Sequence, residues 1–228
     1  MSAAPANLGA MVSEPVAEPP QPTRAEVLRA SPPLFQTRTL DRLTRVHPAV
    51  PALIFLPAIV SFAAFAFRDM NPLEAVLGVI GGYGIWTLTE YWIHRAVFHF
   101  EPERGLGARL HWMVHGVHHD HPNDPMRLVM PPAFSVTLAS AFSGAFVAIF
   151  EWPLVWAVSA GFFAGYLFYD MLHFALHHAR PKSRIGKRLR ELHMRHHFED
   201  DERGFAVSAP WWDVVFGTSS AKARRPKR

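Results

Sequence analysis

A chain of 228 residues is long enough for one ordinary domain, and half of it is hydrophobic with only 18% charged residues. It contains no cysteine. That excludes disulfides, thiolate zinc sites and iron–sulfur clusters, so any metal must be held by His, Asp or Glu. The net charge of +4 invites a nucleic-acid reading, but the basic residues flank long apolar blocks, where anionic lipid accounts for them.

In chain order, residues 1–33 hold seven prolines among Ala, Glu and Ser. That composition builds no core of its own, so residues 1–45 are expected to be a disordered Pro-rich tail and a short juxtamembrane segment. Residues 34–46, LFQTRTLDRLTRV, suit a short helix, either amphipathic on a membrane surface or simply solvated. Four apolar blocks follow: Val46–Phe67, Leu73–Ile93, Ala133–Phe150 and Trp152–Leu172. Each is near the roughly 20 residues of a span. The competing reading is four buried helices of a soluble core, for which the chain offers too little polar sequence as cover.

The basic residues set the expected topology. Five arginines precede the first block, one (Arg68) lies in the first turn, and four lie between the second and third blocks. The turn after the third block has none, and thirteen basic residues follow from Arg180 onward. The positive-inside rule then puts both termini and the long central loop in the cytoplasm. The expected fold is an all-α integral membrane protein, with four transmembrane helices in two hairpins over residues 46–220. A cytoplasmic helical cap and a basic tail, 221–228, complete it.

The histidines carry the chemistry. Leu110–Pro132, LHWMVHGVHHDHPNDPMRLVMPP, holds five of the fourteen. At about 100° per residue, His111, His115, His118 and His119 share one helix face. His94 and His99 end the second block, His173 and His177 with His178 end the fourth, and His193, His196 and His197 lie just beyond. In the expected topology all are cytoplasmic. Spacings of three and four share a helix face. The spacing of five between His94 and His99 misses by about 140°, which suits either two different metals or a helix that ends between them. His47 and His121 stand outside the clusters, and the twelve that remain exceed what one metal uses. Imidazole suits iron, copper and zinc. Zinc storage or transport by a non-enzymatic membrane protein is disfavoured because transport sites lie near the bilayer midplane, whereas these residues lie at helix ends. Two carboxylates are expected to orient ligating rings: Glu90, four before His94, and Asp170, three before His173. Asp120, Asp124 and Glu191 are further candidates.

With these motifs the chain resembles the integral-membrane fatty acid hydroxylase superfamily, which includes sterol desaturases. The similarity is greatest to its fatty acid 2-hydroxylase (ceramide hydroxylase) branch. HG-x-HH with the following Pro, Asp and RLV-x-PP elements carries the likeness, supported by YDMLHFALH and by HMRHHF before GFAVSAPWWDVVFGT. It covers roughly residues 72–218. The resemblance implies ten histidines on two irons: His94, His99, His115, His118, His119, His173, His177, His193, His196 and His197. It leaves His111 and His178 out. It also implies a dioxygen-dependent monooxygenase acting on carbon 2 of a long acyl chain, as free fatty acid or within a sphingolipid. Zinc makes no redox step, so zinc in a preparation would stand in for iron. Sterol or carotenoid hydroxylases and desaturases share the scaffold, but RLVMPP speaks against them. Many eukaryotic members begin with a cytochrome b5 domain, for which the segment before the first block is too short. A separate electron donor, cytochrome b5-like or ferredoxin-like, is therefore expected. Composition leans toward a bacterial inner membrane, or the endoplasmic reticulum if the source is eukaryotic. Trp86, Trp92, Phe162 and Phe163 are candidates to line an acyl channel.

Overall fold

The computed structural model describes residues 21–220, and those residues hold helices and no strand. Four long helices correspond to the four apolar blocks: α3 (Ala49–Asp69), α4 (Pro72–Ile93), α7 (Pro132–Ile149) and α8 (Leu154–His178). Shorter helices surround them: α1 (Arg24–Arg29), α2 (Arg38–Leu43), α5 (Gly105–His111), α6 (Val117–Asp120), α9 (Arg184–Phe198) and α10 (Trp211–Val215). By length and composition α3, α7 and α8 are apolar enough to cross a membrane. The 22-residue α4 is diluted by its glycines and by Glu74 and Glu90.

Helix α8 is the axis of the fold. Of its most apolar stretch 72% is buried, against 17% for α3 and 11% for α7, so the outer helices keep their apolar faces uncovered. An aromatic core of Phe55, Trp86, Phe146, Phe162, Phe163 and Tyr166 surrounds it. Trp86 meets Phe162 and Tyr166 edge-on, each with centroids 5.3 Å away, the arrangement that opposed ring quadrupoles favour. The closest backbone approach is between α4 and α8. Gly78 faces Ala157 and Gly82 faces Val158 across the crossing, while Gly161 faces Val79 and Gly165 faces Trp86, so a small-xxx-small stripe on each helix lets the backbones touch. A Cβ at Gly82 would stand 2.0 Å from the Val158 carbonyl oxygen, and one at Gly161 would stand 1.9 Å from that of Val79.

The turn joining α3 to α4 and the turn joining α7 to α8 line one shallow hollow at the same end of the bundle. At the opposite end α8 continues beyond its apolar block to His178, carrying His173 and His177 on unbroken helix.

The structure departs from expectation before α3. Residues 24–29 lie within the stretch expected to be disordered, yet they form α1, opened by a capping box between Thr23 and Glu26. The segment is held from outside, because its prolines bar a core of its own but leave its polar groups free to bond the central loop. The Asn123 N–H donates to the Leu28 carbonyl at 3.0 Å and the Ser31 hydroxyl donates to Asp124. The buried Arg127 guanidinium donates to Pro32 O and, at 2.9 Å, to Asp41. Deleting residues 2–33 strips the Pro32 acceptor from this buried donor, which should cost about 1–3 kcal/mol. The thermal midpoint should fall, and an unchanged midpoint would show the segment to be idle. The remaining tail residues, 1–20, and the basic tail 221–228 lie outside the described residues.

Candidate metal centre

The site begins where α4 ends. Residues His94–Phe98 form a π turn, and the His99 N–H bonds the His94 carbonyl at 3.1 Å. A π turn closes over five residues rather than four. The two imidazoles that α-helical periodicity would separate by about 140° therefore come to the same side, with ring centroids 5.0 Å apart. A second π turn, Trp112–Gly116, leads from α5 into α6. Such turns gather at functional sites because they re-aim side chains within a helix.

All ten singled-out histidines come together in two groups of five. One holds His94, His99, His115, His119 and His196, the other His118, His173, His177, His193 and His197; within each the ligand-type atoms lie within 4.8 Å of one another. Chain neighbours are divided: His118 and His119 go to different groups, as do His196 and His197. The groups touch where the His119 and His197 rings stand 4.3 Å apart. His111 lies outside both, with Nε2 against the Phe98 carbonyl at 2.6 Å. His121 bonds the Val27 carbonyl.

The donor set fits two metal ions. His94 Nδ1–H donates to Phe205 O and His196 Nδ1–H donates to Arg203 O, which leaves both Nε2 lone pairs facing their group. There Nε2 of His94 and His115 are 3.3 Å apart, those of His115 and His99 3.2 Å, and those of His99 and His196 3.1 Å. Imidazole–metal bonds of about 2.0–2.1 Å at right angles set neighbouring nitrogens about 3.0 Å apart. In the second group Nε2 of His177 and His193 are 2.8 Å apart. Buried nitrogens of His118, His173, His193 and His197 have no hydrogen-bond partner in the protein, a costly state unless something else binds them. Burial, and then the neighbouring imidazoles, push His115, His118, His193 and His197 well below the usual histidine range and lower His99 to about 3. The rings are neutral, the form that ligates.

The carboxylates act differently from expectation. Glu90 does not reach His94. It accepts the Val207 and Ser208 N–H groups, each at 2.7 Å, and the Ser208 hydroxyl. Asp213, missed by sequence reasoning, accepts from the N–H groups of Phe205 at 3.0 Å and Ala206 at 3.1 Å. Together they clamp 205–208, whose Phe205 carbonyl fixes His94. A lone acid inside the apolar run APWWDVVFG was the available signal. Asp170, 1% exposed, accepts the Met130 N–H at 3.3 Å and the Tyr166 hydroxyl at 3.4 Å. It ties α8 to the loop before α7 and orients no imidazole. Asp120 accepts the Trp112 indole N–H, and Asp124 serves Ser31 and Met126. Glu90→Leu keeps much of the volume but leaves the Val207 and Ser208 N–H groups without their shared acceptor. Turnover should fall about 10–100-fold, as when an orienting partner is lost, and unchanged turnover would show the clamp to be dispensable.

A cavity of about 310 Å³ reaches the histidines, with His115, His118 and His173 in its wall and Phe98, Leu110, Met113 and Val129 among its apolar sides. Phe98, Met130 and Tyr169 also border a void of about 30 Å³ between the long helices, lined by Trp86, Phe162 and Phe163. The other channel candidate, Trp92, lies outside both, half-exposed and packed on Phe216.

Known proteins resemble this chain in sequence and in fold. The family model described as fatty acid hydroxylase matches residues 79–218. A ceramide very long chain fatty acid hydroxylase of Saccharomyces cerevisiae, SCS7, is 38% identical over 83% of this chain and 50% of its own length. A dihydroceramide fatty acyl 2-hydroxylase of Arabidopsis thaliana, FAH1, is 36% identical over 88% of this chain and 85% of its own. The fatty acid 2-hydroxylase of Rattus norvegicus is 36% identical over 73% and 46%. The chain thus spans about half the length of the yeast and rat relatives. A solved structure described as full-length scs7p, with only the hydroxylase domain visible, superposes with a TM-score of 0.79 at 34% identity, covering 85% of this chain and 74% of that one. Matched over most of its length by sequence and by fold, this chain belongs to the fatty acid hydroxylase family.

Proposed function

We propose that this protein is a membrane di-iron monooxygenase that hydroxylates carbon 2 of a long acyl chain, carried as a free fatty acid or within a sphingolipid. The observation that supports it best is the apolar cavity whose wall is built from both histidine groups. His94, His99, His115, His119 and His196 would hold one ion, and His118, His173, His177, His193 and His197 the other. When bound, a redox-active iron pair supplies dioxygen activation and removal of a hydrogen from carbon 2. The chain does the rest. Phe98, Leu128 and Val129, which line the cavity, exclude water from the reacting carbon, and the cavity aligns the acyl chain against the histidines. The Glu90–Asp213 clamp holds His94 in its ligating tautomer. Electrons come from a separate cytochrome b5-like or ferredoxin-like protein.

In this reading α3, α4, α7 and α8 all span the bilayer as two hairpins, and the histidine end forms a cap on the cytoplasmic side. The adjacent short turns, the uncovered apolar faces of α3 and α7, and the basic residues at the histidine end support it. A reporter fused after Arg228 should be active only in its cytoplasmic form. Activity outside would put the histidines on the wrong side for a cytoplasmic reductant.

The function is tested by lipidomics of expressing cells under labelled dioxygen. Acyl chains should gain one labelled oxygen atom on carbon 2. Label on a sterol or carotenoid, or none at all with metal bound, would overturn the assignment.

A further inference from the structure

Helix α10 stands outside the four long helices and divides sharply into two faces. Inward, Asp213 is buried, the Trp212 indole N–H donates to the Thr87 hydroxyl at 3.1 Å, and Phe216, just beyond, stacks on Tyr91 with centroids 4.7 Å apart. Outward, Trp211 is 52% exposed, Val214 72% and Val215 64%, with Trp92 beside them at 43%. Two valines and two tryptophans thus form an apolar face that no described residue covers.

Its position says what does. α10 lies along α4 from Thr87 to Trp92, and Thr87 is six residues before the end of α4 at Ile93. At about 1.5 Å per residue, α10 lies between about 2 and 9 Å inside the end of that helix. Interfacial helices bury their apolar face about 5–10 Å into the boundary between headgroups and acyl chains. Tryptophan is enriched at that level. The Arg95 guanidinium lies 5.6 Å from the Trp92 ring centre, a cation beside an interfacial aromatic. Residues 221–228, which follow, carry five basic side chains and no acid, a composition drawn to anionic lipid.

We propose that α10 is seated in the membrane interface on the histidine side of the bilayer, with Trp211, Val214 and Val215 in contact with anionic lipid. The inference rests on the reading of α4 as a span. It gives the clamp a foundation: Asp213, which holds the backbone at Phe205 and thereby His94, projects from the inner face of a lipid-seated helix.

The absence of cysteine allows a clean test on the full chain in phosphatidylcholine–phosphatidylglycerol vesicles. Val214→Cys and Val215→Cys would each carry an environment-sensitive fluorophore. Controls are Ile80→Cys on the exposed side of α4 and Ile185→Cys on α9, both exposed sites. A nitroxide near the top of the lipid acyl chain should quench positions 214 and 215 at least half as strongly as position 80, while aqueous iodide quenches only position 185. Iodide quenching at 214 and 215, with lipid quenching retained at 80, overturns the anchor and leaves the four-span reading standing. Protection of 214 and 215 from both quenchers means a protein covers this face, and also overturns it. Loss of lipid quenching at 80 removes the span and the anchor together.

Discussion

Alanine in place of His118 or His196 is expected to abolish hydroxylation and to remove metal from different halves of the centre. His196 belongs to the first group, is fully buried, and is oriented by the Arg203 carbonyl. His118 belongs to the second, and its Nε2 is buried without a protein partner. Losing a residue that only orients a ligand costs about 10–100-fold in affinity or activity, so losing a ligand should exceed that range. Each variant should lose mainly the ion of its own group, read as metal content of the purified chain. His47→Ala is the control, since among the described residues that ring accepts only the Ala49 N–H at the start of α3. His111→Ala separates the ligand set from a histidine that is merely near, and should retain metal. Full turnover in the His118 or His196 variant would sink the assignment.

The second large effect is expected at the α4–α8 crossing. Gly161→Leu and Gly82→Leu place a side chain where the opposing carbonyl oxygen already stands, 1.9 and 2.0 Å from the new Cβ. Overpacking among side chains typically costs about 1–3 kcal/mol. Here the obstructing atoms are backbone, which has no rotamer to yield, so the helices must part and the cost should exceed that range. The damage should reach the histidines, because α8 carries His173 and His177 and α4 leads into His94. Gly81→Leu and Gly84→Leu, on the same helix with open space about the new Cβ, should leave the thermal midpoint and metal content close to those of the parent. An unchanged midpoint in Gly161→Leu would mean that the two backbones do not touch.

Much of this was legible from residue order because periodicity encodes it. The apolar blocks locate the four long helices to within a few residues, apart from the extension of α8. The spacings of three and four at His115–His119, His173–His177 and His193–His197 announce shared helix faces. The pair His94 and His99 was legible in part: a spacing of five allowed a helix that ends between them, and α4 stops with His94 as its cap, but no hydrophobic pattern marks the π turn that supplies the missing rotation. The carboxylates misled because sequence proximity suggested local partners. Glu90 lies four residues from His94 yet bonds backbone more than a hundred residues away, and Asp170 turns to the Met130 N–H rather than to His173. The proline-rich start misled in the opposite sense. Its composition forbids an independent core, but docking onto the central loop needs only hydrogen bonds.

The division of chain neighbours between the two histidine groups has a consequence for how metal is acquired. Helix α6 gives His119 to one group and His118 to the other, and α9 gives His196 to one and His197 to the other. An ion entering either group must immobilise both helices, so the ordering entropy for the second ion is largely spent before it arrives. Uptake should therefore be cooperative, with half-loaded protein scarce during an iron titration. By reciprocity, withdrawing one ion should loosen the grip on its neighbour, so that a chelator empties the centre as a unit.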